Sequence, residues 1–377
     1  MRIALCYDRI NKFGGAERVL QALHEIWPDA PVYTLTYDHE SASWARDWDI
    51  RSSFLQKIPF IGKKHELFPA IAPLAWEQFN FNQYDVVISI TSSEAKGILT
   101  SPRTRHICYC LTPTRYLWSG YFDYLESSGF GIFHNAIRGI FSLLSYPLRS
   151  WDYYFAQRPD EMIGISDEVC SRIKKYYRRE SRKIYPPVDI PALSDEDLTP
   201  STPFFLVISR LVPYKRIDLV VEAFNRLGWP LKVIGTGSEL AKLRVRGGEN
   251  IEFLGFLSDS ETQVYYRKCL AVIFPSFEDF GIVPVEAQSY GKPVIAYRGG
   301  GVLETVIEGE TGLFFDKQTP EALVKLFAAC CSECIDNGLT IDNMIQYLIR
   351  FKPEQCIRNA ARFSREKFKE EFISLVA

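Results

Sequence analysis

The sequence predicts an α/β protein built from two doubly wound parallel sheets, one after the other along the chain. Three observations carry this. Short apolar runs alternate with helical patterns from Arg2 to Tyr176, and the alternation starts afresh at Phe204. Parallel strands buried on both faces read as such continuous runs, and each parallel pair needs a crossover connection, usually a helix. A break separates the two series: Pro186-Pro187-Val-Asp-Ile-Pro191, then the acidic Ser194-Asp-Glu-Asp197 and Pro200. Finally, glycines and charged side chains recur just after the apolar runs, where open α/β sheets bind ligands.

In the first series, Arg2 to Tyr7 is the opening strand. Gly14-Gly15-Ala-Glu17-Arg18 follows, then a helix marked by Val19, Leu20, Leu23 and Ile26. A glycine pair between strand and helix lets a ligand approach the backbone closely. It lacks the full glycine spacing of a dinucleotide fingerprint, which argues against a nicotinamide enzyme. Val32 to Thr36 reads as a second strand, Asp85 to Ile90 as a third and Arg105 to Cys110 as a fourth, running into Leu111-Thr-Pro-Thr-Arg115-Tyr116. Met162 to Ser166 is a further strand, and Ser166 is a suitable N-cap for the helix through Val169, Ile173 and Tyr176.

Two stretches of this half are aromatic and basic. Residues 51–84 interleave Phe54, Ile58, Phe60, Ile61, Leu67, Phe68, Trp76, Phe79 and Phe81 with Arg51, Lys57, Lys63 and Lys64. Residues 130–158 carry Ile132, Phe133, Ile137, Ile140, Phe141, Leu144 and Leu148 at helical spacing, then Trp151, Tyr153, Tyr154 and Phe155, with Arg138, Arg149 and Arg158. One reading is core and the walls of an acceptor cleft. The other is a docking face for a membrane surface, for which aromatic and basic side chains are suited. Basic residues outnumber acidic ones up to Tyr185 and the reverse holds beyond it, which favours the second reading.

In the second series, Phe204 to Ile208 is a strand, followed by Ser209-Arg210-Leu-Val-Pro-Tyr-Lys215 and a helix through Leu219, Val220 and Phe224. Leu231 to Ile234 leads to Gly235-Thr-Gly237, and Ile251 to Leu254 leads to Gly255-Phe256-Leu257. Cys269 to Phe274 is a buried strand that ends in Pro-Ser-Phe-Glu278-Asp-Phe-Gly281-Ile282-Val-Pro284-Val-Glu286. Pro284 is placed to open a helix, with Glu286 on its first turn and the Gly281 and Ile282 amides turned toward an anion. Pro293 to Ala296 leads to Gly299-Gly-Gly301 and Glu304, and Gln355 to Phe372 reads as one charged helix. A sheet order that brings these ends together gathers Arg210, Lys215, Glu278 and Glu286 at one edge. Two cations beside exposed amides suit a diphosphate, and a carboxylate suits ribose or sugar hydroxyls. A nucleotide-diphosphate-sugar donor fits that chemistry without a divalent metal.

Composition excludes several classes. The chain has 377 residues, enough for two domains, with 47% hydrophobic residues and a formal charge of −2 that gives no reason to expect nucleic acid. Its nine cysteines are odd in number, and of the five histidines only His106 lies near a cysteine pair, so full zinc spacing is missing and buried reduced thiols in a cytoplasmic protein are expected. Met1 to Asp8 is too short an apolar run for a signal peptide, and no stretch is long enough to span a bilayer.

Taken together, these motifs resemble the family 4 retaining glycosyltransferases of the GT-B fold. Gly14-Gly15-Ala-Glu-Arg is similar to the family's first glycine loop. Ser209 to Lys215 is similar to its diphosphate motif, Glu278 through Glu286 to its pair of glutamates, and Pro186-Pro-Val-Asp189 to its interdomain junction. The resemblance implies two Rossmann-like domains facing a central cleft. Residues 1–185 would be the acceptor-binding domain and 190–353 the nucleotide-sugar domain, with a terminal helix over 354–377 crossing back to the first. It implies that Glu278 meets the donor sugar, Glu286 holds the ribose, and Arg210 and Lys215 bind the diphosphate. Gly14, Gly15, Gly235, Gly281 and Ile282 would touch the donor through the backbone, with Phe256 and Leu257 beside the base. Leu111 and Arg115 would line the sugar or acceptor pocket. No cofactor or metal is implied. Asp47-Trp-Asp49 matches the acidic motif of metal-dependent transferases but lies outside the constellation.

Relatives with the run His-Ile-Cys-Tyr-Cys-His-Thr-Pro carry a histidine at the position of Leu111, where it commonly contacts the donor's 6-hydroxyl. Leucine cannot make that bond, which opens a choice between mannose or another hexose and a 6-deoxyhexose or pentose. A non-catalytic binding protein of the same fold is the remaining alternative. The implied setting is assembly of a cell-surface polysaccharide, with a glycan or polyprenyl-linked glycan acceptor at the inner face of the plasma membrane.

Overall fold

The computed structural model describes residues 1–58, 71–122, 125, 134–193, 203–332 and 338–377. Phe60, Ile61, Lys63, Lys64, Leu67, Phe68, Ile132, Phe133, the acidic run Ser194–Asp197 with Pro200, and Cys334 lie outside them, as do the side chains of Ile137, Arg138 and Ile140. The chain divides into two compact units, Met1–Pro187 with Phe368–Ala377, and Val188–Lys367.

The first unit is a seven-stranded sheet in the order β3-β2-β1-β4-β5-β6-β7. Its strands are β1 (Ile3–Tyr7), β2 (Val32–Thr34), β3 (Ile50–Ser52), β4 (Val86–Thr91), β5 (Arg105–Cys110), β6 (Glu161–Gly164) and β7 (Arg182–Lys183). Every neighbouring pair is parallel. β1 and β4 are buried along their whole length, the pattern of strands covered on both faces. The helix Gly15–Ile26 buries Val19, Leu20 and Leu23 against the sheet. Trp76 and Phe81 fill a core cluster on Ala4, Cys6 and Val87. The terminal helix Arg365–Val376 places Phe368 and Phe372 against the Tyr109 ring of β5, at 5.8 and 5.3 Å between centroids.

The second unit is a six-stranded parallel sheet in the order β10-β9-β8-β11-β12-β13. Here the strands are β8 (Phe205–Ile208), β9 (Leu231–Ile234), β10 (Ile251–Gly255), β11 (Ala271–Phe274), β12 (Val294–Tyr297) and β13 (Gly312–Phe315). The chain starts in the middle with β8, winds outward through β9 and β10, then returns to the other side of β8 with β11. That reversal is the switch point where an open α/β sheet leaves a crevice for ligand. One face packs as a cluster of Phe205, Phe224, Trp229 and Phe327 with the helices Ile217–Leu227 and Pro320–Ser332.

The expected helix from Gln355 to Phe372 is broken. It forms as Pro353–Ala360, a tight turn at Ala361–Phe363, and Arg365–Val376. The interruption has a partner in the proline-rich junction. Val188 N–H donates to Phe363 O at 2.9 Å, Arg365 N–H donates to Val188 O at 3.0 Å, and the Arg365 guanidinium grips Asp189 at 2.6 and 3.1 Å. Ser364 is extended to make this bridge, and its hydroxyl accepts from Lys367 N–H at 3.2 Å to start the last helix. Among the described residues, no helix is long and apolar enough to cross a membrane.

Candidate active site

In the second unit the crossover places the end of β8 beside the end of β11. Past β8 the chain makes a short turn, Pro213–Lys215, and then Arg216 in the left-handed region at φ 55°. The turn is tied down from β11, because Ser276 Oγ donates to Lys215 O at 3.0 Å. The Lys215 ammonium points at Glu278 and forms an ion pair with its Oε1. Only 11% of the lysine and 26% of the glutamate side chain meet solvent. Lys215 and Glu278, which the resemblance assigns to phosphate and sugar, are therefore each other's partner. Arg210 remains at the surface, donating from Nη2 to Tyr214 Oη at 2.6 Å.

The loop carrying Glu278 is braced on both sides. Gln318 Nε2 donates to Pro275 O at 2.7 Å. Glu278 bridges in parallel to Gly300, and its carbonyl accepts from Gly301 N–H at 2.9 Å. That approach requires glycines. A methyl at Gly300 (φ 75°) would lie 2.4 Å from Glu278 O, and one at Gly301 would lie 2.4 Å from Phe280 Cα. The Gly299–Gly301 triplet thus acts on the site through the glutamate loop.

Gly281, at φ 85°, is the N-cap of the helix Ile282–Ser289. The helix begins two residues before Pro284, because the left-handed glycine turns the chain early. Glu286 is consequently the fifth helical residue and lies on the second turn, not the first. Amides at such a start have no intrahelical acceptor and can bind an anion. The Glu286 carboxylate accepts from Tyr266 Oη at 2.9 Å. Tyr266 is 3% exposed and stacks on Tyr290 at 5.2 Å with planes 6° apart. Burial, then the Arg267 charge acting against it and the Glu286 charge with it, leaves the Tyr290 phenol pushed up to about 12. Tyr266 escaped the sequence reading, since nothing local links it to a residue 20 positions on.

Gly235 and Gly237 have a structural cause of their own. A methyl at Gly235 would sit 1.8 Å from Ser209 O, and one at Gly237 would sit 2.2 Å from Leu211 O. Their loop is laced to the chain after β8 through Leu211 N–H to Thr236 O at 2.8 Å. The register of β10 on β9 shifts at Gly255, which has φ 75°. Phe256 emerges there 79% exposed, while Leu257 is half-buried.

In the first unit, Gly14 is extended and caps the helix that Gly15 begins. Glu17 beneath it is buried and accepts from Tyr7 Oη at 2.6 Å, so this acid is structural. Leu111 leaves β5 half-buried, with its N–H donated to Thr91 O at 2.8 Å. The turn holding Leu111 and Arg115 is anchored on Asp152. That carboxylate accepts from Thr114 Oγ1 at 2.6 Å, Trp118 Nε1 at 2.6 Å and Tyr177 Oη at 2.8 Å, and pairs with the buried Lys96 at 2.6 Å. Asp8 is another buried acid at this edge, receiving Thr91 Oγ1 at 2.8 Å and Ala95 N–H at 2.9 Å. Burial and the neighbouring Glu94 charge push its carboxyl up. Asp49 of the acidic tripeptide is engaged by Arg51 at 2.7 Å. Among the described residues, no three His, Cys, Asp or Glu side chains converge as a metal site.

Residues 193–333 match the family model of glycosyl transferases group 1. An uncharacterized glycosyltransferase of Methanocaldococcus jannaschii is 29% identical over 248 residues, which are 64% of this chain and 67% of that one. A D-rhamnosyltransferase of Pseudomonas aeruginosa is 32% identical over 32% of this chain and 33% of its own length. An alpha-1,3/1,6-mannosyltransferase of Dictyostelium discoideum is 45% identical over 37% of this chain and 39% of its own. In the last two the aligned stretch is well under half of the relative. Among solved structures, Anabaena HepE in complex with UDP superposes with a TM-score of 0.68 at 18% identity, covering 100% of this chain and 99% of that one. Sucrose-phosphate synthase from Thermosynechococcus elongatus reaches 0.72 at 16% identity, covering 100% and 98%. Residues 193–333 thus carry the match to glycosyl transferases group 1, on a chain whose two parallel-sheet units have the GT-B fold. The family match itself falls on the second unit, which holds Arg210, Lys215, Glu278 and Glu286.

Proposed function

We propose that the protein transfers mannose or another hexose, with retention, from a nucleotide-diphosphate-sugar to a glycan or lipid-linked glycan during assembly of a cell-surface polysaccharide. The observation that carries this is the Lys215–Glu278 pair at the switch point, flanked by Arg210 and by the helix start at Gly281 and Ile282. In this reading the diphosphate takes Lys215 and Arg210 as its counter-charges and the Gly281 and Ile282 amides as donors. Glu278, relieved of its lysine, accepts from sugar hydroxyls. Glu286, aimed by Tyr266, accepts from the ribose. Gly14, Gly15, Gly235, Phe256 and Leu257 complete the donor's surroundings, and Leu111 and Arg115 the sugar pocket.

The chemical step balances without a protein nucleophile. The bond from the anomeric carbon to the diphosphate oxygen breaks, and the acceptor oxygen bonds to that carbon on the same face. The acceptor's proton passes to the leaving phosphate. Lys215 and Arg210 stabilise the charge that grows on the diphosphate, so the step calls for no metal. Melting curves with GDP-, UDP- and dTDP-sugars, each beside its free nucleotide and with or without chelator, test this. A shift with one base that chelator leaves intact is expected. Binding without turnover on any glycan acceptor would favour the non-catalytic reading.

A second donor reading draws on Leu111 and on the P. aeruginosa relative, which by name transfers D-rhamnose. An apolar side chain facing the donor's C6 suits a 6-deoxyhexose or a pentose, since a hydroxyl there would lose a partner. Competition between GDP-mannose and its 6-deoxy analogue decides it. Clear preference for GDP-mannose would remove the deoxy donor.

The exposed face of the helix His134–Phe155 supports a place at the inner membrane surface. Leu143 and Tyr146 are each 77% exposed, Tyr154 66% and Trp151 42%. Aromatic and aliphatic side chains on one exposed stripe suit the headgroup boundary. Co-flotation with anionic vesicles, reduced by L143S/Y146S, is the expected result. Equal recovery with and without vesicles would argue against docking.

A further inference from the structure

Four aromatic rings run in series through the first unit and end at the glycine loop. The His24 imidazole stacks on the Trp48 indole at 3.8 Å with planes 12° apart. Trp48 meets Trp44 edge-on at 5.2 Å, and Trp44 meets Phe13 edge-on at 5.5 Å. The ends differ. His24 is buried, whereas Phe13, the residue before Gly14, is 45% exposed. Trp44 is half-buried, and its indole N–H donates to Lys12 O at 3.1 Å. Its single polar atom is thereby used, and its ring is fixed between Trp48 and Phe13 with part of its surface exposed.

The place is specific. β1 and β2 are prolonged past their ends by a parallel bridge from Ile10 to Tyr37, with Ile10 N–H on Thr36 O at 3.0 Å and Asp38 N–H on Ile10 O at 2.8 Å. Both connections that carry the exposed rings therefore rise from the carboxyl edge of the sheet, where this architecture binds its ligands. A phenylalanine held open to water next to a glycine pair forgoes the burial that most such side chains gain.

We propose that Phe13 and Trp44, with planes 68° apart, form an aromatic corner that serves as the platform for a pyranose ring of the acceptor glycan, one ring stacking on a sugar face and the other closing its edge. The inference rests on the transferase reading and adds where the second substrate lies. A pyranose presents a face of C–H groups, slightly positive, to the negative face of an aromatic ring. Its hydroxyls project around the rim, where Lys12 and His39 are exposed on the same two connections. The platform rings carry no charge, so they suit a neutral sugar, whereas the cations suited to a diphosphate stand in the second unit.

Saturation-transfer NMR on the full chain, with methyl α-mannoside, methyl α-glucoside and methyl α-galactoside as probes, tests the platform. The expected result is transfer to the ring protons of one sugar face. It should fall at least fivefold in Phe13→Leu and in Trp44→Leu and persist in Phe13→Tyr. Melting shifts with GDP or UDP serve as the independent reading of the donor site and should be equal in all four proteins. Absence of transfer in the wild type, or transfer that survives both leucine substitutions, overturns the platform. A retained nucleotide shift in that case leaves the transferase reading standing, and loss of both signals in the wild type removes the two together. Loss of transfer in Phe13→Tyr as well, with an unchanged melting point, would assign the effect to the loop and also overturn the platform.

Discussion

The Lys215 ammonium lies against the Glu278 carboxylate, and the two side chains shield each other from solvent at the junction of β8 and β11. Each group neutralises the other, so in the proposed reading a diphosphate that takes Lys215 also releases Glu278. In that reading, donor binding and readiness of the carboxylate assigned to the sugar are one event. Glu278→Gln and Lys215→Met are each expected to lower kcat/KM by roughly 10²- to 10³-fold, the range for loss of one charge-stabilising group. Lys215→Met also strands a half-buried carboxylate and should cost about 1–2 kcal/mol of stability, less than for a fully buried pair. The double variant should recover that stability and no activity. Additive losses in a double-mutant cycle would show that the two residues act separately.

Tyr266 gives a milder prediction. Its hydroxyl donates to Glu286 while its ring packs on Tyr290. Tyr266→Phe keeps the stack and removes only the hydrogen bond, worth about 1 kcal/mol. The donor KM should rise by roughly fivefold, since 1.4 kcal/mol is a factor of ten. kcat and melting temperature should change little. A fall in kcat with constant KM would mean that Glu286 acts on the reacting sugar and not on the nucleotide.

How much of this was legible beforehand depends on how local the cause is. β1, β4, β8 and β11 announce themselves as largely apolar, buried runs, and β5 does so from Ile107 onward. β3, with Ile50, Arg51 and Ser52 all at least partly exposed, and the two-residue β7 have no such run, so their letters do not mark them as strands. Glu278 and Lys215 were readable as strand-end groups. Their pairing was not, because 63 residues separate them and only the return of β11 to the side of β8 joins them. Glu286 was placed one turn too early, since Pro284 is a visible helix opener and the φ of Gly281 is not written in its letter. Gly235 and Gly237 show the opposite limit: a sequence identifies glycines but not whether a ligand or a neighbouring carbonyl requires them.

Gly300 separates backbone strain from site geometry when compared with Gly309. Both have positive φ, 75° and 78°, but a methyl meets Glu278 O at 2.4 Å in the first and nothing within 4 Å in the second. Gly309→Ala should cost about 1 kcal/mol through φ alone. Gly300→Ala should cost about 2–4 kcal/mol and displace the Glu278 loop, with activity falling more than tenfold. Denaturant midpoints together with kcat/KM check both. Full activity in Gly300→Ala would mean that the triplet does not position Glu278.

His106 makes the fold acid-sensitive in a defined window. Its Nε2 is 2.8 Å from Ser89 Oγ inside the first sheet, and its Nδ1 is buried with no partner. Burial, helped by the Arg179 and Arg158 charges, lowers its pKa to about 3. The unfolded chain binds this proton near pH 6.5, whereas the folded chain refuses it until about pH 3. The unfolded state therefore gains protons first as pH falls, and stability drops from about pH 6.5 downward. Above pH 6.5 this contribution is constant. Between pH 6.5 and 4.5 the single site predicts a loss of roughly 2–3 kcal/mol, at 1.36 kcal/mol per unit. His106→Gln keeps a group able to hydrogen-bond Ser89 and does not titrate. Its urea midpoint should decline less steeply over the same interval, with the two curves diverging below pH 6.5 and parallel above it. Parallel curves throughout would mean that His106 is protonated in the folded protein as readily as in the unfolded one, and that the carboxylates alone set the acid limit.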